Sequence, residues 1–519
     1  MSTVASGGLG RRLATNALHA ASGRVVASLV WLVFTPPILR EIGAEAFAVW
    51  SLFFALTGNF AALDFGIVQG TLRYVAAARE RGDHVEGGAF ATLGLLAVLV
   101  LGAVWFTLVL VFLQPLLTWM RIPPEVVTDA HFALMMSSIV FMLSGFANIM
   151  ISIAQGYGRF DLANIAVLTV SAQNVIGISI VLYKGWGLRE LVINVAIGWA
   201  LSTIVGFALL SRSAPGFRFR SPRSARARVR EAFAFGAPMQ ITNLMSALNQ
   251  NIDKFLLSRF VALAALTPYE LGFRVAVTAI GFPQLLMLAV MPTAAALHSA
   301  ADLPRLRALY ERGTRWILVA TALTGAALIG SADRLYDTWI GPESGDAAWV
   351  LWGLTLSCSL AMAAGMASSV ARGIARTDLE AWFHVTSGAL HVALSFLLLP
   401  RIGLTGALIG SIAGNAAGAV VFLSALSSAL GWSRASVLIA PNLAPFAAIA
   451  LGALAGSWVD GRLPDPRMDL LGWLLVGVVA GISATVALAA LLATRYVDLR
   501  EVRAMLAGSP AAVPAPPAP

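Results

Sequence analysis

Four charged side chains stand inside stretches that are otherwise apolar: Arg24, Asp253, Lys254 and Arg274. A charge at a helix centre in lipid costs roughly 2.5–3.5 kcal/mol on insertion scales, so each needs a reason to be there. A cation in such a place invites an anion, and the planar fork of an arginine matches phosphate oxygens better than a lysine ammonium does. Asp253 offers a carboxylate to a coupling ion or to Arg274. Asp253 and Lys254 are sequence neighbours, so on a helix they project about 100° apart and do not form a simple internal pair. For Arg24, Lys254 and Arg274 the alternative is snorkelling, in which the stem lies along lipid and the head reaches an interface.

Other reactive residues say less. His384 and His391 are seven apart and share one helical face, which suits packing or a pH response. Two histidines without further ligands make a poor metal site, so neither metal nor cofactor is expected. The single cysteine, Cys358, excludes an intramolecular disulfide and sits in an apolar run. Amides such as Gln173, Asn174 and Asn194 are numerous for lipid-buried helices; they serve either a polar cleft or interhelical bonding. No phosphate-binding Walker sequence is present, so energy would come from an ion gradient, the membrane potential or use of product outside.

The elements that must position these residues follow from composition. The chain is 58% hydrophobic and 12% charged, with mean hydropathy +0.81, whereas a soluble domain carries about 25% charged residues. Apolar runs of spanning length recur throughout. They predict an all-α polytopic membrane protein with about fourteen spans, near 16–38, 45–63, 89–112, 130–153, 163–183, 190–211, 233–257, 269–297, 316–331, 347–370, 381–399, 404–428, 437–458 and 470–493. Arg11 and Arg12 precede the first span without a convincing cleavage site, so it reads as a retained anchor. With both termini cytoplasmic, inward segments hold 23 of the 35 Arg and Lys and outward segments hold 9, as the positive-inside rule requires. The net charge of +9 is therefore topological, and no nucleic-acid partner is expected. The segment RSAPGFRFRSPRSARARVRE (212–231) carries seven arginines. It reads as an anchor and hinge, with anionic headgroups as the alternative partner.

A short phrase occurs twice. AQGYGRFDL (154–162) and ARGIARTDL (371–379) share five of nine residues at an offset of 217. LREIGAEAFAVWSL (39–52) aligns with SRFVALAALTPYEL (258–271) at an offset of 219, pairing Arg40 with Arg259, Trp50 with Tyr269 and Leu52 with Leu271. Two six-span halves entering the membrane in the same direction form a parallel repeat, which favours a transporter that rocks one bundle against the other. The expected organisation is an N-terminal bundle (1–211), a basic linker (212–231), a C-terminal bundle (232–430), two appended spans (431–494) and a cytoplasmic tail (495–519) whose Pro/Ala-rich end is disordered. Gly156, Arg159, Asp161, Gly373, Arg376 and Asp378 then form matching cytoplasmic hinge turns. The glycines permit the turn, the aspartates cap the next helix, and the arginines hold the turn inside.

Three stretches carry a resemblance to a known family. ALDFGIVQGTLRYVAAARERGD (62–83) resembles the LD-x-G…(V/L)R-(Y/F)-VAE signature of polysaccharide transporters in the multidrug/oligosaccharidyl-lipid/polysaccharide (MOP) exporter superfamily. FTPPILREIGAEAFAVWSL (34–52) resembles its TP-x-LLR-x-LG-x-E-x-(Y/F)-G-x-W pattern, and FGAPMQITNLMSALNQNIDKFLLSRF (235–260) its seventh helix with an N-x-x-D-(R/K) element. Ala48 departs from the family's usual glycine, and 291–313 lacks the paired acidic residues common there. The resemblance implies a MATE/MOP-like V-shaped fold of two six-helix bundles plus two C-terminal helices. It also implies a substrate, an undecaprenyl-pyrophosphate-linked oligosaccharide, flipped across the bacterial inner membrane. Arg24 and Arg274 would line the cavity, with Lys254 a further substrate contact and Asp253 the ion-coupling candidate. Membrane lipid, a polysaccharide polymerase and glycosyltransferases would be partners.

Two other classes compete. A drug exporter of the same superfamily would favour acidic and aromatic cleft residues, against three cations and one acid counted here. A membrane polymerase or ligase would be expected to need a large outward loop with catalytic Arg or His. The longest outward segments, 114–130 and 331–346, are short and contain no histidine, so an enzyme is not expected.

Overall fold

The computed structural model describes residues 26–57, 64, 66–212, 218–222, 243–284, 287, 290–439 and 441–498, with the backbone of three helices extending beyond them. Every regular element among them is helical. In hydrocarbon each backbone N–H and C=O must be satisfied within its own segment, and the helix does this. Twelve helices among the described residues are long and apolar enough to cross a membrane, which makes the chain a multi-pass membrane protein.

Two of the expected spans account for the difference from fourteen. Helix α1 (Val4–Thr57) carries both the first and the second, interrupted at Gly43 with φ 78° and ψ 168°. In a straight rod Trp31 and Phe54 would lie about 34 Å apart, yet their ring centroids are 5.0 Å apart. The chain doubles back at Gly43, where a side chain would be strained. Trp31 and Trp50, at 5.8 Å, hold the two legs together. The expected seventh span lies on α7 (Arg226–Phe260), whose side chains are described from Asn243 onward.

Between them run α2 (Ile67–Glu80), α3 (His84–Trp119), α4 (Pro124–Gly156), α5 (Phe160–Lys184) and α6 (Leu188–Ser213). Of the expected eighth span the structure describes α8 (Leu266–Gln284) and the start of α9 (Val290–Ser299), while 285, 286, 288 and 289 lie outside the described residues. The ninth is longer than its apolar run. Asp302 accepts from the Arg305 backbone N–H at 3.1 Å and starts α10 (Leu303–Gly330) well before residue 316. Then come α11 (Ala332–Trp339), α12 (Ala347–Ala363), α13 (Gly365–Gly373), α14 (Thr377–Ile402), α15 (Leu404–Leu430), α16 (Arg434–Leu438), α17 (Leu443–Asp460) and α18 (Leu470–Ala493).

The chain divides into two compact units, Met1–Glu270 with Ser395–Ala407, and Leu271–Leu394 with Leu408–Pro519. In the second, α17 and α18 pack on α10 through small residues. A Cβ on Gly456 would lie 2.1 Å from Ser483 Oγ and 2.8 Å from the Gly330 carbonyl. Close backbone approach of this kind replaces the hydrophobic effect between helices in lipid. Buried Arg334 on α11 fastens the same hairpin by an ion pair to Asp460 and a 3.0 Å bond to the Pro464 carbonyl.

Candidate functional site

A short connection containing a single 3-10 turn, Leu263–Ala265, joins α7 to α8, so the two helices are antiparallel neighbours. Their facing ends, within the first unit, hold three buried charges. Asp253, Lys254 and Glu270 are 1%, 3% and 3% exposed. Lys254 Nζ lies 2.8 Å from Glu270 Oε2, and Ser51 Oγ donates to the same oxygen at 2.8 Å. Asp253 faces elsewhere: Tyr269 OH donates to its Oδ2 at 2.7 Å and Ser395 Oγ to its Oδ1 at 3.1 Å. Lys254 thus reaches Glu270 while its sequence neighbour Asp253 reaches Tyr269 and Ser395, in keeping with their angular separation. Charges out of water survive only when paired and hydrogen-bonded, and each of these has such contacts.

Ser51 and Glu270 are 219 residues apart, the offset at which 39–52 aligns with 258–271. Close by, Thr267 Oγ1 donates to the Ala44 carbonyl at 2.6 Å. The two Asp253 carboxylate oxygens and the Tyr269 and Ser395 hydroxyls that donate to them are groups that suit a proton or a hard cation. Arg274, one turn beyond Glu270 on α8, is half-buried. Arg24 lies on α1, but its side chain falls outside the described residues, and so does any pairing of Arg24 with Arg274.

Glu270 was missed by the sequence reading, although it falls within the eighth expected span. It looked like the edge of a loop, and the signal that would have found it is its place opposite Ser51 in the repeat. With it, the count becomes three cations and two carboxylates. Charge balance alone therefore no longer separates an anionic cargo from a cationic one.

The two repeated phrases fold alike. Arg159 grips Asp161 through Nε at 3.0 Å and Nη2 at 2.8 Å. Arg376 grips Asp378 through the same atoms at 2.9 Å each. These contacts hold both exposed guanidinium groups above their ordinary pKa. The left-handed residue is Gly158 in one turn (φ 72°) and Ala375 in the other (φ 59°), not Gly156 or Gly373. Those two glycines allow close approach instead. Their Cβ positions would lie 3.1 Å from the Leu72 carbonyl of α2 and 2.8 Å from the Met291 carbonyl of α9. Nor does Asp161 cap its helix: the N-cap of α5 is Arg159, without a side-chain cap bond, and Asp161 sits in the first turn.

The LD-x-G stretch has a local cause. The Asp64 carboxylate accepts from the Gly66 and Val68 backbone N–H groups at 3.0 and 3.3 Å, and Gly66 takes φ 73° to start α2. Burial pushes the Asp64 carboxyl above its usual pKa, against those two bonds. Several amides bond to one another. Gln173 donates to Asn194 at 2.6 Å and Asn194 to Asn174 at 3.1 Å, tying α5 to α6. In the second unit Asn415 donates to Ser357 Oγ and accepts from Ser387, both at 2.8 Å, linking α12, α14 and α15. His391 is buried on α14.

Residues 13–298 match the family described as polysaccharide biosynthesis protein. A curated relative, the uncharacterized membrane protein EpsK of Bacillus subtilis (strain 168), is 23% identical over 340 residues, 60% of this chain and 62% of that protein. The chain thus aligns with about three fifths of that relative's length. Among solved structures, the inward-facing conformation of a multidrug resistance MATE family transporter of the MOP superfamily superimposes with TM-score 0.67. It is 18% identical and covers 78% of this chain and 93% of its own. Lipid II flippase MurJ in an inward closed conformation gives TM-score 0.67 at 13% identity, covering 92% of this chain and 99% of its own. With the family match running over more than half its length, the chain belongs to the polysaccharide biosynthesis protein family, on a fold shared with MOP-superfamily transporters.

Proposed function

We propose that this protein flips an undecaprenyl-pyrophosphate-linked oligosaccharide across the bacterial inner membrane by alternating access, for surface or exopolysaccharide assembly. The observation that carries the reading is the family match over 13–298, which includes both the Ser51 and the Glu270 ends of the buried charge cluster. The fold shared with a lipid II flippase supports it. Arg24 and Arg274 hold the pyrophosphate from the bundles 1–211 and 232–430, while the lipid tail stays in the bilayer. Lys254 joins them only once its pair with Glu270 opens. Asp253, with Tyr269 and Ser395, binds the coupling ion. The turns at 156–161 and 373–378 are the cytoplasmic hinges, both termini are cytoplasmic, and a polymerase and glycosyltransferases work on either side of the step.

Reconstitution into vesicles with lipid-linked oligosaccharides of defined headgroup tests this. Movement of a pyrophosphate-linked sugar, with no movement of its sugar-free or neutral analogues, is the expected result. Transport of cationic drugs in place of the lipid-linked sugar would favour the exporter reading, which the MATE-like fold and the carboxylate of Glu270 keep open.

A further inference from the structure

We infer that Ser51, Glu270 and Lys254 form a latch that closes the outward end of the transport path and must part in each cycle. The inference rests on the alternating-access reading and adds to it residues with an assigned mechanical role. Ser51 and Glu270 occupy equivalent places in the two sequence repeats, yet they touch at 2.8 Å. In a twofold arrangement only residues beside the axis can meet their own counterparts. The contact therefore marks where the two repeats meet. It lies far from the second hinge turn: Ser395, which bonds Asp253 beside it, is about 25 Å along α14 from Asp378.

The chemistry of the contact fits an opening seam. A buried carboxylate–ammonium pair adds little net stability over an apolar pair, but it fixes register sharply. When the seam opens towards water, Lys254, Glu270 and Ser51 exchange their mutual contacts for hydration, which lowers the cost of parting at this point. The asymmetry is equally informative. The Arg159–Asp161 turn was duplicated faithfully as Arg376–Asp378. At the latch the second repeat carries Lys254 and Glu270, whereas the first carries Thr35 and Ser51 at the same offset, and Thr35 bonds back to the Trp31 carbonyl of its own helix. That turn pair was kept in both halves. The Lys254–Glu270 pair was built in the second repeat alone, and it meets the first through Ser51.

The test uses full-length protein in lipid vesicles, with Ala44→Cys and Thr267→Cys in a Cys358→Ala background. Thr267 reaches the Ala44 carbonyl in the structure, so the two positions report a closed latch by cross-linking. Glu270→Gln and Lys254→Met should each slow cross-linking about fivefold or more, and Ser51→Ala less. The exchange Lys254→Glu with Glu270→Lys should restore it. Only monodisperse protein is scored, and Ser51→Ala supplies the readout should a charge variant fail to fold. Unchanged cross-linking in Ser51→Ala and in every folded charge variant overturns the latch. Cross-linking that responds as expected in a protein that moves no lipid-linked sugar would sink the substrate reading while leaving the latch in place.

Discussion

Ser51 and Glu270, equivalent in the two sequence repeats, are hydrogen-bonded to each other at 2.8 Å, and Lys254 closes on the same carboxylate oxygen. The repeat in sequence accounts for the same polar phrases occurring twice, and this contact joins equivalent positions of its two copies. Around that point, residues that looked independent in sequence act together.

Arg24 and Arg274 are expected to bind the pyrophosphate. A charged hydrogen bond contributes about 1.5–3 kcal/mol, so Arg24→Ala and Arg274→Ala should each lower transport per folded molecule about ten- to hundredfold. Lysine at either position should rescue in part, because it keeps the charge and loses the bidentate fork. Full transport by both alanine variants would remove the cation-lined cleft; full rescue by lysine would point to snorkelling.

The side of the membrane can be read with cysteines at exposed Ser221 and Asp346 in a Cys358→Ala background. Membrane-impermeant maleimide should label Asp346→Cys from outside and Ser221→Cys only after permeabilisation. Labelling of both from one side would overturn the topology drawn from the arginines.

Gly456→Leu should be among the more damaging changes on the appended hairpin. The new side chain would run into Ser483 and the Gly330 backbone, and overpacking costs about 1–3 kcal/mol. The melting temperature in detergent should fall, whereas Gly477→Leu, where a Cβ meets nothing within 4 Å, should leave it near the parent value.

Burial and the charge of nearby Asp460 raise the carboxyls of Asp333 and Asp337; the charge of Asp337 adds to the rise at Asp333, and Arg334 works against it at Asp337. A raised folded-state pKa means that the contribution to stability is present in acid and lost as pH rises through that pKa. Asp333→Asn should therefore raise the melting temperature slightly at neutral pH and flatten its dependence just above the ordinary aspartate range. A melting temperature lowered at neutral pH by the substitution would contradict the assigned cause.

Much of the fold was legible because lipid leaves the chain few choices: a run of about 20 apolar residues must be a helix. One boundary misled. The ninth run reads as starting near 316, whereas the Asp302 cap starts its helix at Leu303, through polar residues that hydropathy passes over. Residues 16–57 read as two spans, and the reversal at Gly43 keeps them as two legs of α1. Asp253 and Lys254 were visible because a charge in an apolar run stands out. Glu270 lay at a span's end, where acids are ordinary, and only the folding of span 2 against span 8 reveals its partner. The hinge phrases were found by repetition alone, but which glycine turns and which merely admits a neighbouring helix depends on φ and packing.

The sharp reversal at Gly43 also sets how force would travel. Trp31 packs edge-on to Phe54 and tilted against Trp50 across that reversal, so the legs of α1 form a stiff arm rather than two rods on a slack tether. Arg24 is carried on one leg and Ser51 on the other. A cargo drawn up against Arg24 would tilt the whole arm, and Ser51 would be levered away from Glu270 without any signal passing through a loop.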